Sequence, residues 1–281
     1  MEQIELKELG VVRDFPDVVA WVMTGSRLHY VPLTAVILFP VTIFLTYTIA
    51  VALGHAEAGF PYISDTGTMP PESCIFGQLM SISVALLGLT FYIRFQQIRD
   101  FCNHFPHVPK VRKLNNVSFP LGLVATFGMS MVANFQETSV LAGHYTGAVM
   151  AFGCGTAYFW FQAIVSYELA PHLNSIRKAH YRIALAIICT VCFIIACGCG
   201  LLARKYYHGH DPLKWYPSDG GWGLHVTSTG AEWVMALCFD IFVASFVSEF
   251  KRLLARPPEF LLDVEHLGIG RSLSFDPVIN A

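Results

Sequence analysis

Charge is scarce in this sequence. Asp, Glu, Lys and Arg make up 14% of its 281 residues, against about a quarter in ordinary soluble domains. Hydrophobic residues make up 54%, and mean hydropathy is +0.51. This balance excludes a soluble globular protein and puts the chain in the membrane class. A formal net charge of −2 lacks the basic stripe of a nucleic-acid binder, so no nucleic-acid partner is expected. Residues 1–10 are acidic and mixed and lack the basic-then-apolar order of a secretory signal, so the first membrane helix is expected to act as the signal. No Gly-x-Ser-x-Gly, phosphate-binding loop or His-Glu-x-x-His pattern occurs. The case for an enzyme is correspondingly thin, and neither a cofactor nor a metal is expected.

What the sequence does have is six apolar runs, at 31–53, 74–93, 117–135, 145–167, 183–203 and 226–247. Each matches the roughly 20 residues that span a hydrocarbon core of about 30 Å. The first five contain no acidic or basic residue; the sixth holds Glu232 and Asp240. Continuous apolar runs predict helices, because a lipid-facing backbone must satisfy its own polar groups, and they lack the alternation of a membrane barrel. The predicted fold is therefore all-α: a bundle of six transmembrane helices over 31–247. Residues 1–30 and 248–281 are read as cytosolic tails, the second mostly disordered. With both ends inside, fifteen Lys and Arg fall on the cytosolic side and three, Arg204, Lys205 and Lys214, outside, as the positive-inside rule requires. The sequon Asn116-Val117-Ser118 then lies on the cytosolic side and should stay unmodified.

Of eight cysteines, only Cys102 lies outside the predicted spans, and no outer-loop pair exists to form a disulfide. Cys189-x-x-Cys192 has a redox spacing, but within an apolar helix these read as small packing residues. The predicted fourth helix carries Gly143, Gly147, Ala151 and Gly155 at a spacing of four, and the third carries Gly122, Thr126, Ser130 and Asn134 likewise. Small residues let membrane helices approach closely, so the third and fourth helices are expected to pair as a tight antiparallel hairpin along these stripes.

Glu232 and Asp240 should face protein or water, since a carboxylate in lipid costs at least about 2.5–3.5 kcal/mol. Eight residues apart, they point to roughly one side of their helix. Asn134, Gln136 and His144 gather at the outer end of the expected hairpin. With Glu232, and roofed by the Asp65 loop, they form a candidate pocket for a lipid headgroup; interhelical hydrogen bonds are the competing structural role. His208-x-His210-Asp211 reads as a solvated loop, not a metal site. Glu249, with Leu253 and Leu254, matches an acidic dileucine sorting pattern; the plainer alternative is a helix end whose Lys251 and Arg252 meet anionic lipid.

The run Pro61-Tyr62-Ile63-Ser64-Asp65-Thr66-Gly67, followed by Pro70-Pro71-Glu72-Ser73-Cys74-Ile75-Phe76, closely resembles the first lumenal loop of the Frag/DRAM/Sfk family, which includes the damage-regulated autophagy modulators and the transmembrane-150 proteins. Asn134-Phe135-Gln136, His144, Gly147-Ala148, Phe152-Gly153 and Glu232-Trp233 resemble further motifs of that family. The resemblance covers about 30–250. It implies a six-helix protein of the lysosomal or endosomal membrane, with plasma membrane or Golgi as alternatives, that promotes autophagy or organises membrane lipid. The expected partners are membrane lipids and cytosolic signalling or trafficking proteins, with the basic segment 94–113 expected to meet anionic lipid or a cytosolic partner. Two rivals stay open: an enzyme or cofactor of GPI-anchor lipid remodelling using His144 and Glu232, and a transporter using Glu232 and Asp240.

Overall fold

A computed structural model describes residues 27–254. Six helices account for most of them: α1 (Tyr30–Ala52), α2 (Glu72–His104), α3 (Pro109–Asn134), α4 (Leu141–Glu168), α5 (Ile176–Tyr206) and α6 (Trp222–Phe250). All six are long and apolar enough to cross a membrane, and no strand occurs among the described residues. The expected C-terminal disorder falls on 255–281, outside the described residues.

Most helices outrun the apolar runs that mark them. α2 continues past its apolar stretch to His104, and α3 begins at Pro109. The anticipated loop of about 20 residues shrinks to 105–108, with Pro109 at the first helical position, where its missing N–H costs nothing. α5 starts at Ser175, whose hydroxyl accepts from the Lys178 amide, an ordinary N-cap. Two helices are irregular. α4 contains a π-helical stretch, Val149–Cys154, between its halves Leu141–Ala148 and Gly155–Glu168. α6 is interrupted after Ala244 and resumes for one turn, Val247–Phe250.

The helices pack in chain order as a ring, each against the next, and α6 returns against α1. The α3–α4 contact is very close. A Cβ on Gly128 would stand 2.6 Å from the Gly147 carbonyl and the Ala151 amide, and one on Gly147 would stand 2.7 Å from Met131 Cβ. Gly147 and Ala151 therefore face α3, but opposite Gly128. Gly122 instead admits Phe91 of α2 and Tyr158 of α4; Gly155 admits the ring of Phe239 on α6; and Gly143 faces Val140 and Phe135. The backbone carbonyl of Ser130 accepts from Asn134 Nδ2 at 2.8 Å. The small residues of these stripes thus serve three interfaces. Cys189, Cys192 and Cys238 are packing residues of the central apolar cluster.

At one end of the bundle, called here the arginine end, Glu249 is clamped between Arg94 Nη1 at 2.6 Å and Arg182 Nη2 at 2.7 Å. Both guanidinium groups lie over the ring of Phe246, at 5.0 and 4.5 Å. Gln97, Gln162, Ser166 and Ser245 accept further hydrogen bonds from them. The network joins α2, α4, α5 and α6. Arg94 is thereby removed from the basic surface assigned to 94–113. Glu249 is withdrawn from the sorting pattern: its carboxylate is buried, Leu253 packs against the core, and only Leu254 is openly exposed, at 87%. A buried carboxylate held by two arginines offers an adaptor nothing to bind.

Candidate functional site

The opposite end, the loop end, is where segment 53–71 folds down between the helices. Its proline-rich composition prevents a helix, so its backbone groups seek partners elsewhere. The Ile63 amide donates to Glu232 Oε1 at 2.9 Å, Trp233 Nε1 donates to the Pro61 carbonyl at 2.9 Å, and the Tyr62 hydroxyl donates to Ser228 Oγ at 2.8 Å. Asp65 is buried at the start of a single turn, Asp65–Gly67, and accepts from the Tyr62 amide at 2.9 Å. Gly67 is required here, because a Cβ would press 2.5 Å from the Phe76 ring.

Beneath this segment the bundle encloses a cavity of about 440 Å³. Its walls are apolar, with Phe39, Met80, Phe91, Phe159, Phe193 and Met235 among them. Its polar lining is concentrated on α6 and at the loop end: Tyr62, Glu137, His144, Tyr145, Arg204, Glu232 and Asp240. His144 is buried, and its Nδ1 lies 2.8 Å from the Phe135 carbonyl. A carbonyl only accepts, so Nδ1 is the donor in this contact. Arg204 Nη1 of α5 reaches Glu137 Oε1 at 3.3 Å and the Tyr145 hydroxyl at 3.2 Å.

That bridge spans a window. The first half of α4 packs on α3, whereas only its second half, Gly155–Glu168, packs closely on α5. The gap is closed towards the arginine end where Phe193 stands over Gly153, and towards the loop end by Arg204. Between these limits Val149 and Leu201, 57% and 76% exposed, line the cavity and also face outward. The cavity thus opens sideways between two apolar helices.

Asp65, Glu137 and Glu232 form an acidic group beside the cavity. Burial foremost, then the charges of Glu137 and Glu232, push the Asp65 carboxyl well above its usual range, against the opposing Tyr62 amide.

Of the five residues assigned to one pocket by sequence, His144 and Glu232 line the cavity and Asp65 lies beside it. Asn134 and Gln136 do not join them. They line a separate, polar groove of about 320 Å³ between α2 and α3, with Ser73, Gln78 and Ser81; Asn134 also touches Ser81 Oγ at 3.4 Å. Sequence reading missed Glu137, Tyr145 and Arg204. The available signal was a charged residue at each edge of the window, Glu137 in the short 136–144 connection and Arg204 directly after the fifth apolar run.

A ring of six apolar helices, with a laterally open cavity beneath a folded-in loop, defines a multi-pass membrane protein. The chain matches the Frag1/DRAM/Sfk1/Cwh43P N-terminal domain over residues 27–253. It is 34% identical to human DNA damage-regulated autophagy modulator protein 2, covering 84% of this chain and 88% of that protein. It is 35% identical to the human modulator protein 1, over 81% and 92%. Modulator of macroautophagy TMEM150B-B of Xenopus laevis is 38% identical over 54% of this chain and 64% of its own. The chain belongs to the Frag1/DRAM/Sfk1 family. No solved structure matches it.

Proposed function

We propose that this protein is a membrane regulator of autophagy that acts by holding a lipid in its central cavity, without catalysis. The regulatory half of this reading rests on relatives that are named modulators of autophagy. The lipid half rests on one observation: an apolar cavity of about 440 Å³ with a polar loop end and a side opening between α4 and α5. Small-molecule sites have this character, apolar walls with a few placed polar groups. A lipid tail can enter such a site without leaving hydrocarbon. The distribution of Lys and Arg supports a lumenal loop end and a cytosolic arginine end.

The test is lipid analysis of the purified protein by native mass spectrometry, beside autophagic flux in cells. Ala148→Trp, which fills the cavity from α4, is expected to remove the copurifying lipid and to alter flux. The reading fails if wild-type protein carries no lipid, or if the filled cavity leaves flux unchanged.

A further inference from the structure

Asp240 is the carboxylate for which the bundle supplies no partner. It lies on α6 two turns from Glu232, about 12 Å further along the axis at 1.5 Å per residue, and it lines the cavity. No hydrogen bond or ion pair reaches it among the described residues. Nine residues on, the same helix shows the opposite treatment: Glu249 is held by two arginines, with Lys178 Nζ 3.4 Å away. Arg94 and Arg182 are therefore already committed. Arg204 is the one Lys or Arg on the cavity lining, and it is engaged at the far rim by Glu137 and Tyr145. The lining thus sets three carboxyl groups, Glu137, Glu232 and Asp240, against one guanidinium. The rest of the lining is largely apolar, with Leu87, Phe91, Met235 and Val243 among its walls, and apolar walls give a carboxylate no compensation.

The geometry points to an amine-bearing amphiphile as the occupant, a protonated amine on an apolar body, with its ammonium at Asp240. The inference rests on the reading of the cavity as a lipid site and narrows it to one charge class. The body passes through the window between Val149 and Leu201 and lies on the aromatic walls. Glu137 and Glu232 make the loop end attractive to a cation on its way in. An anionic lipid meets repulsion at Glu232 and Asp240, and a neutral one leaves Asp240 unanswered.

The probes are dodecylamine and dodecanol, which share a body and differ in the charged group. Binding of each to the full chain in nonionic detergent is measured at pH 7 by native mass spectrometry. The amine is expected to bind about tenfold more tightly, equivalent to ~1.4 kcal/mol. Asp240→Asn should bring the two within about twofold, whereas Asp240→Glu keeps the preference. Equal binding of both probes to wild type overturns the inference and leaves the lipid cavity standing. Binding of neither overturns the lipid reading itself. A preference that survives Asp240→Asn in folded protein removes Asp240 as the counter-ion. Should the Asn variant not fold, the wild-type ratio alone decides.

Discussion

Arg94 on α2 and Glu249 at the end of α6, 155 positions apart, meet at 2.6 Å with side-chain exposures of 0% and 2%. Removing one member of such a pair leaves the other charge buried and uncompensated, which costs about 3–5 kcal/mol. Here Arg182 shares the same carboxylate, so Glu249→Ala strands two cations at once. The variant is expected to lose at least that much stability in a thermal melt in detergent. Glu168→Ala, which breaks the exposed Lys110–Glu168 pair at 2.6 Å, should change stability by less than about 1 kcal/mol. Equal melting of the two variants would show that the buried network is not what holds the arginine end together.

The α3–α4 contact leads to a second comparison. Gly128→Ala drives a methyl group against backbone atoms of Gly147 and Ala151 at 2.6 Å, atoms that cannot rotate aside, and overpacking of this kind costs roughly 1–3 kcal/mol. Gly88→Ala on α2 meets nothing within 4 Å and should be neutral or stabilising by up to about 1 kcal/mol, as Gly is a poor helix former. Melting temperatures of the two proteins check this directly.

Gly128 also shows where sequence reading stops. The six helices were legible because hydrocarbon allows an apolar run little else, and the closeness of α3 to α4 was legible from small residues at a spacing of four. Which small residue meets which was not. The π-helical stretch at Val149–Cys154 adds a residue to one turn and shifts the face that α4 presents. The buried arginines were hidden for a similar reason. Arg94 and Arg182 sit where basic residues ordinarily mark the cytosolic edge, and only the turn that brings Glu249 back under Phe246 reveals that they point inward. Asp65, His144 and Glu232 were recognisable as polar groups near one end, but that Asn134 and Gln136 turn instead to a groove beside α2 has no local signature.

The Asp65 carboxyl gives the loop end a pH dependence. Its ordinary value is 3.8, and burial with the Glu137 and Glu232 charges raises it in the folded protein. Between those two values the folded state holds more protons than the unfolded one, so stability falls as pH rises. The contribution is most favourable in acid and is lost as pH climbs through the folded value. Segment 53–71 should therefore be better protected from hydrogen exchange at pH 5 than at pH 7.5. Asp65→Asn keeps an acceptor for the Tyr62 amide but cannot ionise, and should flatten that difference. A difference of unchanged size in the Asn variant would assign the pH dependence to other groups.

Arg204 holds the loop-end limit of the window by reaching from α5 to Glu137 and to Tyr145 at the start of α4. Its guanidinium is partly exposed, so the contact is one of moderate strength that can open and close. Arg204→Glu sets two carboxylates against each other at that point and should hold the gap open. Exchange of a fluorescent lipid between nanodiscs and the protein is then expected to speed up several-fold, while Arg204→Lys, which keeps the charge but not the forked geometry, should fall between. The opposite change, a short crosslink between cysteines placed at 145 and 204, should slow exchange without emptying the cavity. Because the crosslink alters only the width of the gap, an exchange rate indifferent to it would mean that lipid reaches the cavity by a route other than the space between α4 and α5.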